Sequence, residues 1–135
     1  MAQSLDVTYA RTRRLQGTTQ AQALERVKAR LAEEGFGVLS EIDVQATLKK
    51  KLDVDRPPYV ILGACNPKLA HQALEAEPSL GVFLPCNVDV FQGEDGATYV
   101  QAVRPDVMFQ LVDNPRVQPI AADVDARLQR VLAAL

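Results

Sequence analysis

Tyr59-Val60-Ile61-Leu62-Gly63-Ala64-Cys65-Asn66-Pro67 decides the fold. Its first seven residues carry no charge and have the length of a strand covered on both faces, with Arg56-Pro57-Pro58 as a breaker in front. Asn66 is a strong helix N-cap, and Pro67 at the first helical position loses no hydrogen bond there. Leu69, Ala70, Ala73 and Leu74 then supply the buried stripe of a helix that ends before Pro78. A strand thus runs directly into a helix, and the rest of the chain is read outward from that junction.

Toward the C-terminus, Leu80-Gly81-Val82-Phe83-Leu84 has the pattern of a second doubly apolar strand, broken at Pro85 by a bulge or bend and followed by Cys86-Asn87-Val88-Asp89-Val90-Phe91. Gly93-Glu94-Asp95-Gly96 is a hairpin turn that returns Thr98–Val103 as the partner strand. Pro105–Val112 predicts a short helix, stopped by Asp113-Asn114-Pro115. Val124, Leu128, Val131, Leu132 and Leu135 fall at helical spacing, with Asp123 and Asp125 near the positive end of that helix dipole.

Toward the N-terminus, Leu5, Val7 and Tyr9 alternate with Asp6, Thr8 and Ala10 as a first strand. Thr18 and Thr19 follow Gly17 and cap a helix whose stripe is Leu24, Val27 and Leu31. Gly35 stops it. Phe36, Val38, Ile42 and Val44 share one face of the next strand, whose other face, with Leu39, Glu41 and Asp43, meets water. From Asp43 the period changes to that of a helix through Val44, Leu48 and Leu52, with Lys49, Lys50 and Lys51 as a solvated face.

The 135 residues are 47% hydrophobic and 24% charged, the balance of one ordinary domain, and a chain of this size buries about two-thirds of its surface without a metal or disulfide staple. A net charge of −2 removes the broad positive field that nucleic-acid binders use, so no nucleic-acid partner is expected. Met1–Leu15 lacks the basic and apolar regions of a secretory signal, and the apolar runs are too short for a bilayer. The expectation is a cytoplasmic protein without a membrane segment, whose two cysteines stay as thiols.

Those cysteines are the candidate site. Cys65 ends an apolar strand at a helix N-terminus, where unpaired N–H groups favour thiolate. Cys86 ends the other apolar run just past Pro85. If those strands are neighbours, both thiols and the amides of Asn66 and Asn87 gather at one end of the sheet. Cysteine is also among the most buried residue types, so both side chains are equally explained as core packing. Asn66 is sufficiently explained as a cap, whereas Asn87 has no local explanation. His71, one turn beyond Pro67, sits at the boundary of the buried stripe and reads as a surface residue. Two cysteines and one histidine fall short of a four-ligand zinc site, and no cofactor motif, nucleophile elbow or paired carboxylate stands out. No catalytic residue, metal or cofactor is expected.

Gly63-Ala64-Cys65-Asn66-Pro67 and, some twenty residues on, Leu84-Pro85-Cys86-Asn87-Val88 resemble the paired signatures of the bacterial and archaeal family called domain of unknown function 302. Phe36–Asp43 and Leu48–Leu52 resemble its upstream segment. The resemblance spans roughly Leu24 to Pro105 and implies a compact α+β domain over residues 1–135, in two layers. A mixed or antiparallel sheet of about five strands packs against helices in the order βα-β(α)-βα-ββ-αα. It implies a homodimer and no established activity, and it transfers Cys65, Asn66, Pro67, Pro85, Cys86 and Asn87 only as motif positions. Two functional readings follow: a small-ligand-binding or interaction domain with its pocket at the Cys65/Cys86 end, or a thiol-redox or soft-metal-handling protein using the same two sulfurs.

Overall fold

Asn66 caps its helix as its sequence position demands: its Oδ1 accepts from the backbone N–H of Leu69 (3.2 Å), and the helix runs over Pro67–Ala76 (α3) from strand Tyr59–Cys65 (β3). The computed structural model describes residues 4–135. Before this junction come strand Ala10–Leu15 (β1), helix Gln20–Glu33 (α1), strand Gly37–Asp43 (β2) and helix Val44–Leu52 (α2). After it come strands Cys86–Gln92 (β4) and Thr98–Val103 (β5), the single-turn helix Pro105–Met108 (α4) and helix Gln118–Ala133 (α5). Thr19 caps α1 with a reciprocal capping box to Gln22, and Gly35 follows that helix at φ +85°, a conformation that side chains with a Cβ avoid.

The strands form one antiparallel sheet in the order β1-β5-β4-β3-β2. Alternate residues Val60, Leu62 and Ala64 of β3, Val88 and Val90 of β4, and Val100 and Ala102 of β5 face one layer of helices. Against them lie Ala23, Val27 and Leu31 of α1 and Val124, Leu128, Val131 and Leu132 of α5. This is the expected two-layer α+β arrangement. A smaller cluster of Ala73, Leu80, Phe109, Val112, Val117 and Ala121 closes the end of the sheet, with the Phe83 and Phe109 rings 5.9 Å apart. On the opposite face, Tyr59, Phe91 and Tyr99 are paired in register and stack at 4.8 and 5.7 Å between ring centroids.

Three expectations are corrected. The first strand is Ala10–Leu15, while Leu5–Tyr9 lies outside any strand. Apolar alternation favours the earlier segment, but Arg11 and Arg13 have partners waiting on α5. Arg11 Nε and Nη2 donate to the Asp125 carboxylate (3.0 and 2.8 Å), and Arg13 donates to the carbonyls of Leu132 (2.8 Å) and Leu135 (3.2 Å) at the negative end of the helix. The apolar run at 80–84 is not a strand. Pro78–Phe83 forms a 3-10 helix with Val82 exposed, and a cis Leu84–Pro85 bond, rather than a bulge, leads into β4. Finally, β2 does not bury one face, because all seven of its residues are exposed.

Candidate functional site

Because β3 and β4 run antiparallel with Ala64 opposite Cys86, the end of one strand lies beside the start of the other. Cys65 and Cys86 therefore come together at one end of the sheet. Of the four residues expected to gather here, Cys65, Asn66 and Cys86 do so and Asn87 does not, and Cys86 begins its strand instead of ending an apolar one. Here α3, β3, β4 and the segments after β5 leave a cavity of about 280 Å³. Leu69 and Ala73 of α3, Leu84 and Pro85, and Phe109 and Ile120 form much of its wall. Asn66 is the one lining side chain that is neither apolar nor a thiol.

The two sulfurs differ in setting. Both are free; Cys86 is buried and Cys65 is partly exposed. Burial, and secondarily the neighbouring Cys65 sulfur, pushes the Cys86 thiol up to about 11, so it stays protonated at neutral pH. Asn66 is already engaged. Besides capping α3, its Nδ2 donates to the Glu34 carbonyl (3.4 Å), which also accepts from Arg127 Nη1 (2.9 Å). That contact lies beside Gly35, where an added Cβ would approach Asn66 Nδ2 to 3.0 Å. The amide thus ties the start of α3 to the end of α1 and fixes the cavity wall.

Asn87 is not part of this site. It is paired with Gly63, exposed, and one residue along the strand from Cys86, so it faces the opposite side of the sheet. There a Cβ on Gly63 would collide with Ser40 Oγ and reach 2.9 Å from Pro85 Cγ, which explains the glycine in that motif. His71 is exposed, as its position at the stripe boundary implies. Among the described residues no three His, Cys, Asp or Glu side chains are placed to hold a metal ion, and no helix is long and apolar enough to cross a membrane.

Sequence reasoning overlooked a polar cluster on the far face. The Tyr59 hydroxyl donates to Asp89 Oδ2 (3.0 Å), the Arg56 guanidinium lies 5.1 Å from the centre of the Tyr59 ring, and burial holds the Asp89 carboxyl above its ordinary range. Asp89 Oδ1 and Arg56 Nε are buried without a hydrogen-bond partner among the described residues. In the sequence Asp89 is merely the polar member of an alternating strand, and only the pairing of β3 with β4 brings it beside Tyr59. Tyr59 also borders a wide cleft of about 970 Å³, shared with Arg11, Arg104, Glu94 and Asp95. Its walls carry charges of both signs, whereas the lining of the thiol cavity is apolar apart from Asn66 and the two thiols, the character usual in small-molecule sites.

No curated protein matches the chain. Among solved structures, the crystal structure of an uncharacterized conserved protein DUF302 from Bacillus stearothermophilus is similar at 34% identity. It covers 94% of this chain and 98% of that one, with a TM-score of 0.86. The family model described as Domain of unknown function DUF302 matches residues 11–135, a span that includes β1 from its second residue, the other four strands, both cysteine motifs and α5. With that match over nearly its whole length, the chain belongs to the DUF302 family.

Proposed function

We propose that the chain is a small-ligand-binding domain whose site is the thiol cavity, and that its ligand is an uncharged, largely apolar molecule. The observation carrying this reading is the lining: an apolar cavity of about 280 Å³ in which the one amide is committed to capping and no charged side chain takes part. An ionic ligand would lose its hydration there without a counter-charge in return. The volume lies near the lower end of small-molecule sites, roughly 300–1,000 Å³, and suits a single aromatic ring or a short branched chain.

The probes are benzene and indole, titrated into methyl-labelled protein and followed by NMR. Saturable shifts confined to Leu69, Leu84, Ile120 and Val124, and lost in Ala73→Phe, are expected. Unmoved methyls at saturating probe, in protein whose melt matches that of the untreated chain, would refute the reading.

The alternative, thiol-redox or soft-metal chemistry, draws on the proximity of the two sulfurs. It assigns the attacking role to Cys65, since the buried Cys86 thiol resists ionisation. Measured thiol pKa values separate the two readings: a Cys65 value well below the roughly 8.5 of free cysteine favours redox chemistry.

A further inference from the structure

We infer that the cleft on the far face of the sheet is a second binding site, that Arg56 anchors its ligand, and that the ligand is a monocarboxylate with an apolar or aromatic body. Tyr59, Phe91 and Tyr99 line this cleft, and their register places them on the face opposite the helices. The thiol cavity at the end of the sheet disfavours an anion for want of a counter-charge, so the two sites differ in place and in chemistry. Neither depends on the other.

Of the three arginines that line the cleft, Arg11 donates twice to Asp125 and Arg104 donates twice to Asp106. Arg56 has no carboxylate partner among the described residues. Asp55, its neighbour in the chain, pairs with Lys49 (3.0 Å), and Asp89 accepts from the Tyr59 hydroxyl (3.0 Å). An unpaired arginine is usually a freely moving surface chain, but this one is held. Gln45 Nε2 donates to the Arg56 carbonyl (2.8 Å), and the Gln92 N–H donates to the Pro58 carbonyl (3.0 Å) across the rigid Pro57-Pro58 pair. The side chain is half-buried, with its guanidinium 5.1 Å from the centre of the Tyr59 ring. Much of the ordering that an anion would have to impose is therefore already present. Nε is closed to solvent and has no acceptor, so an incoming anion meets the two Nη groups, a fork that a carboxylate fits with two parallel hydrogen bonds.

Charge and surface then select the rest of the molecule. Glu94 and Asp95 line the same cleft, so a phosphate dianion would face one unpaired guanidinium with two carboxylates close by, whereas a monocarboxylate is matched by Arg56 alone. The rings of Tyr59, Phe91 and Tyr99 offer an apolar floor, with Phe91 buried between the other two. Leu5 and Val7 add a further apolar wall, fixed where the Leu5 carbonyl accepts from Thr12 Oγ1 (3.0 Å) and Gln101 Nε2 (3.1 Å). A body laid on these surfaces gains from leaving water while its carboxylate stays at the guanidinium.

Benzoate is the probe, titrated into isotope-labelled full chain and followed by NMR at the Arg56 Nε–H and the Tyr59 and Phe91 rings. Benzamide is its neutral counterpart, acetate a carboxylate without the body, and inorganic phosphate the other oxyanion. Saturable shifts with benzoate are expected, and each of the other three should bind about tenfold more weakly or worse. Arg56→Met should weaken benzoate roughly 10- to 100-fold, the worth of a charge-assisted contact, and Arg56→Lys, which keeps the charge and loses the fork, should recover only part. Arg116→Met, at an exposed arginine outside the cleft, and Ala73→Phe in the thiol cavity should leave benzoate binding unchanged. Unmoved signals at about 10 mM benzoate, a comparison ligand that binds as tightly, an affinity indifferent to Arg56→Met, or one abolished by Ala73→Phe would each overturn the proposal. The comparison among ligands uses the unaltered chain and decides the matter even if Arg56→Met fails to fold.

Discussion

Arg11→Met should destabilise the protein far more than Arg11→Met combined with Asp125→Leu. Asp125 is 5% exposed and accepts two hydrogen bonds from Arg11, at 3.0 and 2.8 Å, with a third from Gln129 Nε2 at 2.8 Å. Removing Arg11 leaves a buried carboxylate with one neutral donor. Breaking a fully buried pair costs about 3–5 kcal/mol, and the 28% exposure of the Arg11 side chain admits enough water to bring this to about 2–3 kcal/mol. With an unfolding entropy near 2.1 cal/mol/K per residue, that corresponds to a fall in Tm of about 7–11 °C. Replacing both partners by apolar residues removes the stranded charge, and the double variant should lie within about 1 kcal/mol of the parent. Urea unfolding of the four proteins in a double-mutant cycle measures the coupling. Costs for the double variant that merely add, or a single-variant cost below about 0.5 kcal/mol, would show that the pair does not hold β1 to α5.

Two further outcomes are expected. Stability should fall in alkali, because the folded Cys86 thiol ionises only near pH 11 whereas the unfolded thiol does so near 9. The contribution is complete below pH 9 and lost as pH rises through 11. Tyr59, pushed up to about 12 chiefly by burial, extends the decline. Denaturation midpoints from pH 8 to 12 should flatten in Cys86→Ala at the lower end of that window, and an unchanged slope would contradict the assignment. Phe91→Ala, at a side chain 7% exposed between two stacked rings, should cost about 3–4 kcal/mol in urea unfolding, and a loss below 1 kcal/mol would mean the ladder contributes little.

Local chemistry made much of this fold legible. The Asn66-Pro67 cap, the Gly93–Gly96 turn, the helix stop at Gly35 and the short lysine-rich helix all rest on signals within a few residues, and each appears where those signals put it. What failed depended on distant partners. Arg11 and Arg13 belong in a strand because α5 returns more than a hundred residues later with a carboxylate and free carbonyls. Apolar content misread Leu80–Leu84, since periodicity does not separate a short buried strand from a tight helical turn. Adjacency in the sequence groups Asn87 with Cys86, yet in a strand successive side chains go to opposite faces.

That misread segment is what leaves room for a site. A strand at 80–84 continuing into β4 would have carried the chain across the sheet end, and α3 would pack as an ordinary crossover helix. The 3-10 turn at Pro78–Phe83 instead holds Leu80 in the small end cluster with Ala73 and Phe109, so the chain enters β4 from beyond the sheet. Leu84 and Pro85 then become a wall, with α3 opposite and Cys86 at the boundary. The end cluster and the main core are separate groups of buried residues, and the cavity draws its lining from both: Leu69 and Val124 from the main core, Ala73 and Phe109 from the end cluster. Ile120 packs against both clusters, and the gap beside it persists because closing it would require one of them to give up contacts it already has. The cysteine motifs therefore mark the seam where β3 leaves the sheet and β4 enters it, and that seam is where ligand binding should be sought.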